Sequence, residues 1–157
     1  MRKRLIPKVQ QDALSPGQAW LNLGEIAEVE ISSEETTHPI ESALLPGTSS
    51  GWRAAQPGDQ TIRLRFYHPQ SLRRIRLDFV EAQTERTQQY LLRWSPDDGQ
   101  SYQEIARQQW NFSPEGSTSE TEEHHVELPA VTLLELIITP DISGGDAIAT
   151  LSQWKLA

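Results

Sequence analysis

Apolar and polar residues alternate with a period of two along most of this chain. In the segment 61–66, Ile62, Leu64 and Phe66 share one face, while Thr61, Arg63 and Arg65 share the other. Segment 74–79 repeats the pattern with Ile75, Leu77 and Phe79 inward. Earlier, Ala27, Val29 and Ile31 alternate with Glu28, Glu30 and Ser32. Strands with one apolar and one wet face are typical of antiparallel sheets. Further strands are expected at 90–94, 103–106, 125–128, 133–139 and 149–156. The run Leu133–Ile138 is nearly continuous in apolar residues, so it is expected to be central and covered on both sides.

Turn chemistry separates these segments. Ser95-Pro96-Asp97-Asp98-Gly99 ends one strand with a proline that presets φ and an Asp-Gly pair that tolerates left-handed backbone. Pro46-Gly47, Pro57-Gly58, Pro114-Glu115-Gly116 and Gly144-Gly145 punctuate the other gaps. Many short strands with regular turns predict an all-β sandwich or barrel. Residues 108–123 are too polar for core and are expected to form a long loop, functional or mobile. Residues 1–25 show weak periodicity and read as a loosely ordered N-terminal arm before a domain spanning 26–157.

Composition narrows the function classes. The 157 residues fit one domain, and 36% hydrophobic content with five Trp is enough to form a core. A net charge of −8 disfavours nucleic acid, whose binders supply a cationic surface. The absence of Cys excludes disulfides, thiolate zinc sites and Cys nucleophiles. The basic start Met1-Arg2-Lys3-Arg4 is not followed by an apolar stretch, and no run approaches a membrane span. A soluble cytoplasmic protein is therefore expected. The sequence says nothing about oligomeric state.

From about Ile26 onward, the order of features resembles the discoidin, or coagulation factor 5/8 type C, family and its carbohydrate-binding relatives. Val29-Glu30-Ile31-Ser32-Ser33 is similar to that family's strand running into a Ser-rich segment. His38-Pro39-Ile40-Glu41-Ser42-Ala43-Leu44-Leu45 is similar to its approach to an Asp-Gly turn. Gly51-Trp52-Arg53-Ala54 resembles its Trp element, and Tyr90 to Tyr102 resembles its strand followed by a Ser-x-Asp-Gly turn. The resemblance implies an eight-stranded, galactose-binding-like jelly roll, an antiparallel β-sandwich that binds ligands with loops at one end. It implies sugars, phospholipid head groups or proteins as ligands, and in many members a structural calcium. Here the acidic turn is Pro46-Gly47, and the C-terminal Ala-Glu element is Ala149-Thr150. Calcium needs six to eight oxygens, so no conventional calcium site and no cofactor are expected.

Several residues are candidates for a binding site. Trp110-Asn111-Phe112 places two apolar platforms around an amide, which suits a carbohydrate or a peptide. The other reading is that these aromatics anchor their segment to the sandwich. His38, Glu41, Arg53 and His68 are the polar residues expected near strand ends, and His38 and His68 both precede proline. Trp52 is a chemically good stacking group, but the resemblance places it in the core. His124-His125 cannot chelate one ion on a regular strand, where neighbours point to opposite faces. Arg63, Arg65, Arg74 and Arg76 form a patch able to grip carboxylates or phosphates if their strands are adjacent. Ordinary solvated strand faces are the competing reading.

No nucleophile motif, phosphate-cradling loop or metal-ligand spacing is present in the sequence, so an enzyme is not expected. The leading expectation is a carbohydrate-binding module that holds glycan by shallow stacking and a few hydrogen bonds. The alternative is an intracellular protein-interaction module of the same fold, using its loop end or arginine face.

Overall fold

The structure is a computed structural model that describes residues 20–47 and 50–157. Its elements follow in the order α1 (Leu23–Ile26), β1 (Ala27–Ile31), α2 (Glu41–Leu44), β2 (Trp52–Arg53), β3 (Gln60–Val80), β4 (Arg86–Ser95), β5 (Gln103–Phe112), β6 (Ser119–Thr139), β7 (Thr150–Leu151) and β8 (Gln153–Leu156).

Two long strands organise the molecule. β3 and β6 each run 21 residues and pair antiparallel, with register shifts between Arg65 and Arg74. Both strands bend there, and their halves enter different layers. The first half of β3 lies between β1 and the second half of β6, and that half of β6 continues the sheet into β4 and β5. The second half of β3 lies between β8 and the first half of β6. Counted by halves, one layer has five strands and the other has three. The molecule is an antiparallel β-sandwich of jelly-roll type. The strands expected at 61–66 and 74–79 are therefore two halves of one bent strand. Segments 125–128 and 133–139 are related in the same way.

The inward residues of the two layers form the core. Ile62, Leu64, Leu92, Leu136 and Ile138 face Ile75, Leu77, Phe79, Trp154 and Leu156, and all are essentially fully buried. Phe79 and Tyr90 stack across the layers with ring centroids 5.5 Å apart. Each such side chain contributes about 1.5–3 kcal/mol on burial. On the outer side of β6, Leu133 is also covered, and Glu135 is completely buried beneath the guanidiniums of Arg63 and Arg93. The central position expected for this run is the one it occupies.

The turn after β4 is built as its residues dictate. Asp98 and Gly99 both take positive φ, at 60° and 92°. Ser95 Oγ accepts the Gly99 N–H at 2.8 Å, and Asp97 Oδ1 accepts the Ser101 N–H at 2.8 Å.

Two expectations need correction or relocation. Residues 108–123 are not one loop: β5 continues to Phe112 and β6 begins at Ser119, leaving 113–118 irregular. Their polarity reflects two edge strands with wet surfaces. Of the expected arm, residues 1–19 lie outside the described residues. Its last part is attached, because the Leu21 N–H donates to the Leu156 carbonyl at 2.7 Å and Leu23 is buried.

Candidate functional site

Because β3 and β6 bend at their middles, both ends of each strand lie at the same end of the sandwich. The connections 54–59, 81–85, 113–118 and 140–149 emerge there, next to the segment 32–38 that leaves β1. Trp52 fixes that segment: its ring is buried in the core and its Nε1 donates to the Ser33 carbonyl at 3.1 Å. The neighbouring backbone is stitched together by Glu35 N–H to the Arg53 carbonyl (2.8 Å) and Arg53 N–H to the His38 carbonyl (3.2 Å). Gly51, at φ 70°, is required by this stitching, since an added Cβ would lie 2.9 Å from the Leu151 carbonyl oxygen.

This backbone brings His38 and Arg53 together. Glu35 Oε2 meets Arg53 Nε at 3.1 Å, and Glu35 Oε1 lies 3.4 Å from His38 Nδ1. The Thr37 hydroxyl donates to Glu35 at 2.9 Å. That hydrogen bond, with the charges of His38 and Arg53, lowers the Glu35 carboxyl below its ordinary range. His38 and Arg53 line a cleft of about 230 Å³ with Trp52, Val80 and Thr150. Arg53 also lines a second cleft of about 440 Å³, where Glu81, Asp141 and Asp146 come together. The guanidinium thus stands at the junction of two clefts, with half-exposed Val80 as an apolar patch beside it. A planar fork of donors flanked by carboxylates and an imidazole can hold hydroxyls or a carboxylate.

Arg86 holds the rim of these clefts. It is buried, donating to Glu81 (2.8 Å), the Pro140 carbonyl (2.9 Å), Thr150 Oγ1 (3.1 Å) and Gln88 Oε1 (3.2 Å). One side chain therefore joins the 81–85 loop, the 140–149 loop and β7. Asp141 caps its own turn by accepting from the Ser143 N–H and hydroxyl, which lowers its carboxyl below the ordinary range.

The other expected site residues lie elsewhere. Glu41 is exposed at the start of α2. His68 is exposed beside Tyr67 at the bend of β3, which is the opposite end of the sandwich. Trp110, Asn111 and Phe112 do not form one platform, because strand alternation splits them. Trp110 and Phe112 point inward with Gln88 and Arg86, their β4 partners, and Asn111 points outward, where its side chain accepts from Thr87. Phe112 is completely buried under the Arg86 guanidinium, 5.0 Å from the ring centroid, so it anchors rather than grips. Trp110 keeps 36% of its surface exposed.

The four arginines do not form a patch. Arg63 and Arg65 lie on the five-stranded layer and Arg74 and Arg76 on the three-stranded one, because β3 changes layers between them. Each meets a carboxylate: Arg63 with Glu135, Arg65 with Glu30 and Asp98, Arg74 with Glu123, and Arg76 with Asp78. His124 and His125 face opposite ways, and His124 hydrogen-bonds Tyr90 at 2.8 Å inside the sandwich. Among the described residues, no three His, Asp or Glu side chains come together in a metal-binding group. No helix among them is long and apolar enough to cross a membrane. Sequence reasoning missed Glu35, Glu81 and Asp141, which sit in segments with no periodicity to read.

No family model and no curated protein matches this sequence. Solved structures do match. A chitosan-binding module from a Paenibacillus sp. IK-5 chitosanase/glucanase aligns over 87% of this chain and 98% of its own, at 17% identity and TM-score 0.62. The fold is the galactose-binding-like jelly roll. The same galactose-binding-like frame superposes on a Ruminococcus gnavus GH29 fucosidase crystallised with fucose, at 9% identity and TM-score 0.65. There it covers 87% of this chain but 26% of the fucosidase. Reduced XRCC1 bound to the DNA polymerase β catalytic domain also shares the frame, with 13% identity, TM-score 0.62 and 88% and 97% coverage.

Proposed function

We propose that this chain is a non-catalytic carbohydrate-binding module that holds glycan at the loop end of its jelly roll, with Arg53 and His38 as the gripping groups. The observation that carries this reading is Arg53 itself. Its guanidinium is anchored through Nε by Glu35 and stands where two clefts meet. An anchored fork loses less freedom when it binds hydroxyls or a carboxylate. The larger cleft is lined mostly by polar and charged side chains, which suits a sugar more than a drug-sized apolar ligand. The chitosan-binding neighbour supports the reading through its shared frame.

A glycan array probed with the purified chain tests it, alongside Arg53→Ala and His38→Ala. Selective binding that weakens about tenfold or more in Arg53→Ala, a loss of about 1.4 kcal/mol, is the expected result. Both side chains are partly exposed, so the variants should keep the thermal midpoint of the parent chain. Silence of the parent chain across the array would overturn the glycan reading. A pull-down would then take up the protein-interaction alternative.

A further inference from the structure

The flank of the sandwich between β5 and the first half of β6 carries a second group of polar side chains. Opposed residues on antiparallel strands share a face. Glu120, Glu122 and His124 are opposite Phe79, Leu77 and Ile75, so all three project between the layers. Gln88 and Tyr90 project toward them from β4, and Trp110 is paired with Gln88 from the β5 edge. Tyr90 Oη and His124 Nε2, 2.8 Å apart, tie the two layers at this flank.

Two of these groups are buried with polar atoms that no hydrogen-bond donor or acceptor meets among the described residues. Glu120 is 5% exposed, and neither carboxyl oxygen accepts a hydrogen bond from an N–H or hydroxyl among the described residues. Gln88 is 1% exposed; its Oε1 accepts from Arg86, which turns Nε2 away toward the flank, and Nε2 finds no acceptor. A buried polar group without a hydrogen bond destabilises the fold, because its bonds to water are lost and not replaced. The contrast with Glu135 is informative. That carboxylate is completely buried on the far side of the five-stranded layer and is met by two guanidiniums, whereas Glu120 is met by none.

We propose that this flank is a second binding site that takes an organic ammonium group carried by an amino sugar. The parts divide the ligand between them. The Glu120 and Glu122 carboxyls match an ammonium, which has donors and no acceptor. Gln88 Nε2 offers a donor to a hydroxyl. The partly exposed Trp110 indole offers a face to the C–H side of the ring and attracts a cation. A simple alkylamine would use only the first of these. The Glu120 carboxyl oxygens and Gln88 Nε2 are out of contact with solvent, so a ligand reaches them only when the partly exposed Trp110 turns on its edge strand. Separately, burial, and then the adjacent Glu122 carboxyl, push Glu120 up to about 8. The site therefore holds a proton at neutral pH that an ammonium replaces. This site does not depend on the Arg53 clefts, and its test reads different residues.

Titrate glucosamine, N-acetylglucosamine and n-butylamine into the isotopically labelled chain at pH 6, following backbone amide shifts. Glucosamine should move amides in 108–112 and 119–125, and both other probes should bind about tenfold more weakly or less. Glu120→Gln, which keeps shape but cannot give up a proton to become an anion, and Trp110→Ala should each weaken glucosamine by a similar factor. Equal binding of N-acetylglucosamine would overturn the ammonium assignment, and equal binding of butylamine would overturn the sugar. Shifts confined to 35–53, no shifts at all, or full binding by Glu120→Gln would overturn the site.

Discussion

Single residues in this molecule are set by whether a buried charge finds its opposite. Glu120 does not, and its folded-state pKa of about 8 lies above the ordinary value of 4.5. The folded chain therefore binds a proton that the unfolded chain releases between those values. Stability contributed at this position is fully present below about pH 4.5 and is lost as pH rises toward 8. His124 acts in a different window: burial lowers its pKa from 6.5, so its cost appears as pH falls below that value. Thermal melts of Glu120→Gln and the parent chain at pH 5 and 8.5 separate the two. The variant should gain on the order of 10 °C on the parent between those pH values. An unchanged difference would show that Glu120 ionises normally. Arg86 is the opposite case, a buried cation with four acceptors. Replacing it with Met leaves Glu81 and the Gln88, Pro140 and Thr150 oxygens without their donor. A loss of about 3–5 kcal/mol in denaturant unfolding is expected.

Among the elements, those with a wet and a dry face were the readable ones. Alternation in 27–31, 61–66 and 74–79, with the apolar segment 90–94, located β1, both halves of β3 and half of β4. The turn after β4 was equally plain, because Asp98-Gly99 supplies the two positive φ angles it needs. Gly99→Ala should cost about 1–2 kcal/mol there, since its φ of 92° suits glycine and the new Cβ would sit 3.2 Å from the Tyr102 hydroxyl. A denaturant midpoint equal to the parent's would contradict this. Residues 108–123 were unreadable for a physical reason. On β5 and the first half of β6, several inward positions are polar: Gln108, Glu120, Glu122 and His124 interrupt the apolar half of the pattern. Alternation without a hydrophobic partner looks like a loop. The loop-end site was half legible. His38 and Arg53 stood out beside Pro39 and Trp52, but Glu35 reaches Arg53, and Glu81 and Asp141 reach the cleft beside it, only through the tertiary fold.

At the scale of the whole molecule, the decisive feature is one the alternation could not show: β3 and β6 each belong to both layers. Segments 61–66 and 74–79 read as separate strands because residues 67–73, with His68-Pro69, look like a connection. The backbone keeps its pairing with β6 through that stretch, at the cost of three register shifts. This continuity makes independent unfolding of the layers difficult, since opening one strips half of both central strands from the other. Phe79→Ala offers the test. The ring belongs to the three-stranded layer but stacks on Tyr90 of the five-stranded one. Removing a completely buried phenylalanine should cost about 3–5 kcal/mol. If the sandwich is one cooperative unit, amide exchange in β4 should accelerate by the same factor as in β8, although Phe79 pairs with neither. Acceleration limited to β8 and the first half of β6 would mean that the layers open separately, with the bends at 67–73 and 128–132 acting as hinges. Equal acceleration would mean that the loop-end clefts and the flank are carried by one rigid frame.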